Sequence, residues 1–371
     1  MGIVHLILGK ANPEKMNGVN KVVYNIASKQ AEKSVKTEVW GISENTEINY
    51  PERLFTTKIF KKQLNPFSIP EGLKKEILHS EQDTVFHLHG GWIPVFSSLS
   101  RFLKKNKRRY VITPHGAYNA VAMKKSKLIK KLYFRWFEKK VIINAEKIHC
   151  IGESEREGLY KIHRTDKTVL INYGYETIKS DPDNHPIKGP VIFGFVGRLD
   201  LYTKGLDLLV ESFAAFSKQY PESRLWIIGD GVEKDKLQDQ IRQNKIENKV
   251  ELLGSKFGKE KDDLIRKMDV FMHPSRNEGL PVSVVEAAAF GKPCVVTRNT
   301  NVGHLIEKYD AGISIAYPET SLLTDALIRI YNIRQNHSQY KLMSSNALKM
   351  VEEAFDWDIV LNEMNRKLYT V

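Results

Sequence analysis

The chain has 371 residues, 42% hydrophobic and 27% charged, with a formal net charge of +13 at pH 7. Such a chain is globular and long enough for two ordinary domains with separate cores. It holds no run of about 18 apolar residues, so no spanning helix is expected; Ile3 to Leu8 is too short and too weakly flanked for a signal peptide, and a cytoplasmic protein is expected.

In the first half strand and helix alternate. Ile3 to Leu8 reads as a strand, followed by a polar loop and a helical pattern from Gly18 to Ala27. Thr37 to Ile42, Thr84 to His89, Tyr110 to Thr113, Lys147 to Ile151 and Val169 to Ile171 read as further strands, most of them separated by helix-length material, which is the pattern of a doubly wound parallel sheet. Asn17-Gly18 is a turn at a helix start, where backbone amides can meet an anion. His87-Leu-His89 puts two histidines on one face of a strand end at the spacing of a metal pair, but no third ligand accompanies them, so acceptor lining or packing is expected instead. Thr113-Pro-His115-Gly116 ends another strand, and a neutral imidazole there can hold a hydroxyl without adding charge. Cys150 and Cys294 fall in apolar strand patterns, which suits buried thiols in a reducing compartment rather than a disulfide or a metal site.

The basic excess belongs to this half. Residues 1–180 hold 32 Lys and Arg against 17 Asp and Glu, the remainder 25 against 27, and residues 101–140 hold 14 against the single acid Glu138. Within that stripe Met123 to Lys140 has helical character, with Leu128, Leu132, Trp136 and Phe137 near an apolar face. An anionic partner is implied, and Lys124, Lys125, Lys127, Lys130 and Lys131 are expected to face an anionic membrane surface. Nucleic acid is disfavoured because no recognised binding module accompanies the stripe. The plainer alternative is that the apolar stripe packs on the sheet and the lysines are merely solvated.

Residues 177–189 are polar and broken by prolines, and read as a linker. The alternation then restarts: Val191 to Val196, Arg224 to Ile228, Val250 to Leu253, Val270 to Met272 and Pro293 to Thr297 are strands, with helices near Gly205 to Phe216, Val232 to Arg242, Asp262 to Lys267 and Val282 to Phe290. Gly197-Arg198 and Lys204-Gly205 put two cations in the loop before a helix. Glu278 lies in the loop after the strand at 270–272. Pro281 suits a first helical turn, which leaves the amides around Gly279 and Leu280 without intrahelical partners, and Glu286 falls about two turns into the helix. Two carboxylates flanking a helix N-terminus can hold a polyhydroxy ligand whose phosphates sit on the amides, the shape of a sugar nucleotide. Asp181-Pro-Asp183 superficially matches a cation-binding Asp-x-Asp, but it lies in the linker and not at a strand end.

The run Ser275-x-x-Glu278-Gly-Leu-Pro-x-x-x-x-Glu286-Ala-x-Ala-x-Gly-x-Pro, with Gly197-Arg198 and Lys204-Gly205 before it, resembles the signature of glycosyltransferase family 4, retaining enzymes of the GT-B fold. The resemblance implies an α/β architecture of two Rossmann-like doubly wound parallel-sheet domains facing a cleft. These are an acceptor-side domain over 1–178, a nucleotide-sugar-binding domain over 190–355, and a C-terminal helix over 356–371 that returns to the first domain. It implies that Glu278 contacts the donor sugar, that the amides of Gly279 and Leu280 with Arg198 and Lys204 hold the diphosphate, and that Glu286 binds the ribose. The loop at Ser255 would meet the base largely through its backbone, and His115 would lie beside the sugar ring. Asn17 and Gly18 would meet the same diphosphate from the opposite wall, although Asn17 departs from the Gly-Gly common there. His89 and Tyr118 are expected on the acceptor side.

The implied chemistry is retaining transfer of a sugar from a nucleotide diphosphate sugar to a hydroxyl acceptor, with no cofactor or metal. Combined with the basic stripe, it suggests a lipid-linked glycan acceptor in bacterial polysaccharide assembly, at the inner face of the membrane. A sugar-nucleotide epimerase of the same fold, or a non-catalytic sugar or nucleic-acid binder, are the alternatives. The intact set of Arg198, Lys204, Glu278 and Glu286 argues against the binder.

Overall fold

The computed structural model describes residues 1–12, 18–48, 50–119, 127–176, 189–276 and 278–370, with only the backbone of Lys127. Asn17, Lys124, Lys125, Asp181 and Asp183 lie outside the described residues. The chain divides into two compact units, Met1–Gly174 with Trp357–Val371, and Tyr175–Asp356.

The first unit is built on seven strands: β1 (Ile3–Leu8), β2 (Thr37–Ser43), β3 (Thr56–Lys61), β4 (Val85–His89), β5 (Arg109–Thr113), β6 (Ile148–Cys150) and β7 (Thr168–Leu170). They are parallel, in the order β3-β2-β1-β4-β5-β6-β7. Helices cover both faces, so the central strands are apolar nearly throughout, and successive residues feed opposite layers. Val4 and Leu6 join Trp40, Phe86, Leu99 and Tyr110 on one face. Ile3 joins Val85 and Val111 on the other, beneath the helix Trp357–Met364 and the π turn Asn365–Tyr369, which contribute Trp357, Leu361, Leu368 and Tyr369. Sequence patterning missed β3, an edge strand whose lysines, Lys58 and Lys61, break the apolar period.

The second unit carries β8 (Ile192–Val196), β9 (Arg224–Ile228), β10 (Val250–Gly254), β11 (Val270–His273), β12 (Cys294–Thr297) and β13 (Gly312–Ile315), also parallel, in the order β10-β9-β8-β11-β12-β13. Phe193, Phe195, Phe213, Phe216 and Ile227 fill its core. In each sheet the order reverses at one place, between β1 and β4 in the first and between β8 and β11 in the second. Loops from the carboxyl ends of strands on either side of such a switch point part and leave room for a ligand. Both cysteines are buried free thiols. No helix among the described residues is long and apolar enough to cross a membrane.

The first unit closes where Gly174 meets the returning helix: a Cβ at Gly174 would lie 2.2 Å from Trp357 Cε3. Gly174→Ala is therefore expected to force the indole off its seat and lower stability by about 1–3 kcal/mol, the usual cost of overpacking. Thermal unfolding followed by circular dichroism measures this, and a melting temperature equal to the parent's would contradict the close approach.

Candidate active site

At the switch point of the second sheet, the loop after β8 is shaped by two local devices. Asp200 caps the single turn Leu201–Lys204 by accepting from the Thr203 amide at 2.9 Å. Gly205 then takes a left-handed φ of 68°, where a Cβ would meet the Pro274 carbonyl oxygen at 2.1 Å. Lys204 is thereby brought to the loop after β11, where its Nζ hydrogen-bonds to Glu278 Oε1. His273 Nε2, at the end of β11, lies 3.2 Å from the same oxygen, and its ring stacks on Phe195 at 5.6 Å. Burial pushes the Glu278 carboxyl upward in pKa, but the His273 hydrogen bond and the Lys204 charge outweigh it and hold the group at about 2. Burial lowers His273, more than its bond to Glu278 raises it, so the imidazole stays neutral beside the carboxylate.

The loop that carries Glu278 is pinned from several sides. Ser275 Oγ donates to Thr203 O at 2.6 Å, Thr297 Oγ1 donates to Ser275 O at 2.5 Å, and Arg276 makes two bonds to Asp207 at 2.7 and 2.8 Å. Asn301 Nδ2 donates to Glu278 O at 3.0 Å and also to Gly279 O. In a trans peptide the carbonyl and the following amide point in opposite directions, so the N–H groups of Gly279 and Leu280 are turned away from Asn301. They stand just ahead of the helix Val282–Ala289, whose N-terminus favours an anion. Glu286, buried on that helix, has its Oε2 at 2.7 Å from Lys261 Nζ. Arg198 is exposed, its guanidinium only 3.5 Å from Asp200, and Ser255 is exposed after β10. Lys261, His273 and Asn301 escaped sequence reasoning; none belongs to a motif, and each is identified only by what it touches.

In the first unit, His115, His89 and Tyr118 are each hydrogen-bonded to other side chains. His115 has a left-handed φ of 56°, with Nε2 at 2.9 Å from His89 Nδ1 and its Nδ1 bonded to the Tyr173 hydroxyl. Both ring nitrogens are engaged by protein partners, and the residue is half-buried. His89 is buried, bridging His5 and His115. Tyr118 is fully buried, with its hydroxyl 2.5 Å from Glu138.

The histidine pair does have a third member, because the register of β1 on β4 sets His5 beside His87. Nitrogens of His5, His87 and His89 lie within 4.8 Å of one another, close enough to hold a metal ion. Each ring is nonetheless already hydrogen-bonded at both nitrogens, to Gln30, Tyr369, Thr113, His115 or one another, so a metal would have to displace these partners. Gly18 opens the helix Gly18–Glu32 after β1.

The basic stripe forms a continuous helix through Lys127–Tyr133, a π turn Phe134–Glu138 and Lys139–Asn144. The wider π turn rotates Glu138 inward, where its Oε1 accepts from the Trp92 amide at 2.8 Å, and burial raises its pKa to about 7. Phe137 also turns in, onto Phe67 at 4.6 Å. The rest of the apolar stripe does not pack on the sheet: Leu128, Ile129, Leu132 and Trp136 are 79, 70, 62 and 64% exposed. Lys131, Arg135, Lys139 and Lys140 are exposed around them, whereas Lys130 lies over the Trp92 ring at 5.7 Å.

Residues 16–177 match the family model described as Glycosyltransferase Family 4, and residues 177–350 that described as Glycosyl transferases group 1. An uncharacterised glycosyltransferase of Methanocaldococcus jannaschii is 25% identical over 324 residues, 81% of this chain and 77% of its own. The O-antigen chain mannosyltransferase C of Escherichia coli is 22% identical over 94% of this chain and 93% of its own. Among solved structures, Anabaena HepE in complex with UDP matches 100% of both chains with a TM-score of 0.75 at 16% identity, which shows the GT-B fold.

Acid should destabilise the protein through the first unit. Burial lowers His5 and His149 from 6.5 to about 4 and His115 to about 3, with His87 and His89 also held well below 6.5. The unfolded chain takes up these protons near 6.5 while the folded one refuses them, so stability is full above about pH 6.5 and falls as the pH drops toward about 4. Glu138 and Glu155, raised by burial to about 7, act in the opposite direction but are two groups against five. The melting temperature is expected to fall from about pH 7 to about pH 5; a flat profile there would mean that the folded and unfolded chains take up equal numbers of protons, contrary to this balance of groups.

Proposed function

Because the chain belongs to glycosyltransferase family 4, we propose that it is a retaining, metal-independent enzyme that transfers a sugar from a nucleoside diphosphate sugar to a hydroxyl of a lipid-linked glycan. The observation that carries the donor half of this reading is the convergence of Lys204, Glu278 and the outward amides of Gly279 and Leu280 at the β8/β11 switch point. A diphosphate laid on those amides competes with Glu278 for the Lys204 ammonium, and the exposed Arg198 can swing to the same oxygens. Glu278, ionised at neutral pH, is then released to accept hydrogen bonds from sugar hydroxyls. Glu286 takes the ribose hydroxyls, with Lys261 holding its carboxylate in place.

In the reaction, the bond from the anomeric carbon to the diphosphate oxygen breaks and the bond to the acceptor oxygen forms on the same face. The acceptor proton goes to the departing diphosphate, so no protein base is assigned. Negative charge grows on the leaving group, and cations and amides fixed in advance are the dominant stabilising influence. Arg198 and Lys204 do here what a divalent cation does in other transferases. UDP in the similar Anabaena structure supports a nucleotide donor.

For the acceptor half, the exposed ridge of Leu128, Ile129, Leu132 and Trp136 rimmed by cations has the character of an interfacial helix on an anionic leaflet. Each Lys or Arg near such a surface contributes about 1 kcal/mol. A relative named for O-antigen chain synthesis supports a lipid-linked glycan as acceptor and the inner membrane face as the place of work.

A thermal-shift panel of nucleotides and nucleotide sugars is expected to identify the donor by stabilisation. With that donor, Glu278→Gln and Lys204→Ala are each expected to lower turnover at least about tenfold without unfolding the protein, while excess chelator leaves the parent's rate unchanged. Parental rates in both variants would refute the site, and loss of activity on chelation would refute metal independence. In sedimentation with vesicles, binding should require anionic lipid, weaken as salt rises and be lost in the double variant Leu132→Ser, Trp136→Ser. Equal binding to neutral vesicles, or none to either kind, would refute the membrane role and leave glycosyl transfer standing.

A further inference from the structure

The hydrogen bonds around five histidines of the first unit, four buried and His115 half-buried, assign every proton once one end is fixed. The Ile171 carbonyl can only accept, and it takes His149 Nε2–H at 2.8 Å. A neutral imidazole has a single N–H, so His149 Nδ1 is an acceptor, and Thr113 Oγ1, 2.8 Å away, must donate to it. That hydroxyl has one proton, so it accepts from His87 Nε2 at 2.6 Å. His87 Nδ1 then accepts from the Tyr369 hydroxyl at 2.9 Å, and the phenol oxygen accepts from Gln30 Nε2 at 3.3 Å. This orients the Gln30 amide. Its Oε1 accepts from His5 Nε2 at 2.7 Å, His5 Nδ1 from His89 Nε2 at 2.8 Å, His89 Nδ1 from His115 Nε2 at 2.9 Å, and His115 Nδ1 from the Tyr173 hydroxyl. All five rings emerge as the Nε2–H tautomer with both nitrogens satisfied. Their neutrality agrees with burial holding each well below its ordinary pKa.

The direction of the Gln30–His5–His89–His115 branch hangs on one group. Thr37 Oγ1 approaches Gln30 Oε1 at 3.5 Å, but its proton is committed to Val35 O at 3.0 Å. The Tyr369 oxygen is therefore what holds the amide. Were Gln30 turned over, its NH2 would face His5 Nε2. His5, His89 and His115 would each have to carry the proton on Nδ1, and Tyr173 would become an acceptor, an arrangement that conserves the protons and bonds of the branch and loses only the bond from Gln30 to Tyr369. The ring of His115 sits at the far end of the branch, and its two bonds help hold a left-handed backbone that costs a non-glycine residue of order 1 kcal/mol.

We propose that Tyr369, from the returning C-terminal helix, is a positioning residue: its hydroxyl orients Gln30, which holds His5, His89 and His115 in the Nε2–H form and keeps the His115 turn in one conformation. The importance of that turn for turnover rests on the glycosyl-transfer reading; the hydrogen-bond assignment does not.

The test is two-bond 15N–1H correlation NMR of the full chain labelled with 15N-histidine, which distinguishes the two tautomers and the charged ring. At neutral pH, His5, His87, His89, His115 and His149 are expected to show only the Nε2–H pattern. In Tyr369→Phe, which keeps the ring and removes the hydroxyl, His5, His89 and His115 should acquire Nδ1–H signals. In Tyr173→Phe, which removes the last donor but leaves Gln30 held, His5 and His89 should keep theirs. A parent protein with any of the five rings in the Nδ1–H or charged form overturns the proposal without recourse to a variant. So does an unchanged tautomer pattern at His5, His89 and His115 in Tyr369→Phe. Either result would leave the donor site as it stands.

Discussion

In a parallel sheet every strand finishes at the same edge, and where the strand order reverses, neighbouring loops are sent to opposite faces. That constraint decides where the chemistry of this protein is found. In the second sheet it separates the loop after β8 from the loop after β11, so that Lys204 and Glu278, 74 residues apart in sequence, reach one another across the gap. In the first sheet it sets β1 against β4 and brings His5 level with His87. Everything else described here, from the capping by Asp200 to the grip of Asn301, refines positions that the strand order has already made available.

Burial acts on all the ionisable groups near these edges, and its outcome depends on what else each group touches. Glu278 keeps its charge because a lysine and a histidine face one oxygen. Glu138 meets an amide and a phenol but no cation among its hydrogen bonds, and its carboxyl is pushed to about 7. The five hydrogen-bonded histidines of the first unit have only neutral partners and give up their charge. The same physical cost therefore yields an ionised carboxylate in one unit and an uncharged hydrogen-bonded lattice in the other.

The alternation of apolar runs with helical spacing made most of both sheets legible in the sequence, along with the loops that carry Arg198 and Glu278, the turn that ends at Lys204 and the helix that carries Glu286. Those are local patterns, and local patterns survive in a sequence. Pairings set by register or by long-range packing do not: nothing in the residues around His5 signals that it will stand beside His87, and nothing around Asn301 signals a grip on the Glu278 carbonyl. The burial of His89 and Tyr118 is illegible for the same reason, since a strand end reads alike whether its side chains line a surface or meet partners inside. In the helix after residue 127 the apolar stripe suited either a membrane surface or packing on the sheet, and the π turn divides it: Phe137 and Glu138 go in and Trp136 stays out.

The first unit is not contiguous in the chain: Trp357 to Tyr369 are made only after the whole of Tyr175–Asp356. On a ribosome adding about 5–20 residues per second, that intervening stretch takes roughly 10–40 s. Throughout it the face formed by Ile3, Val85, Val111 and Ile171 lacks its cover, and Gln30 and His87 lack the phenol between them. The nascent first unit must therefore wait with an open apolar groove, which links completion of its core to successful translation of the second.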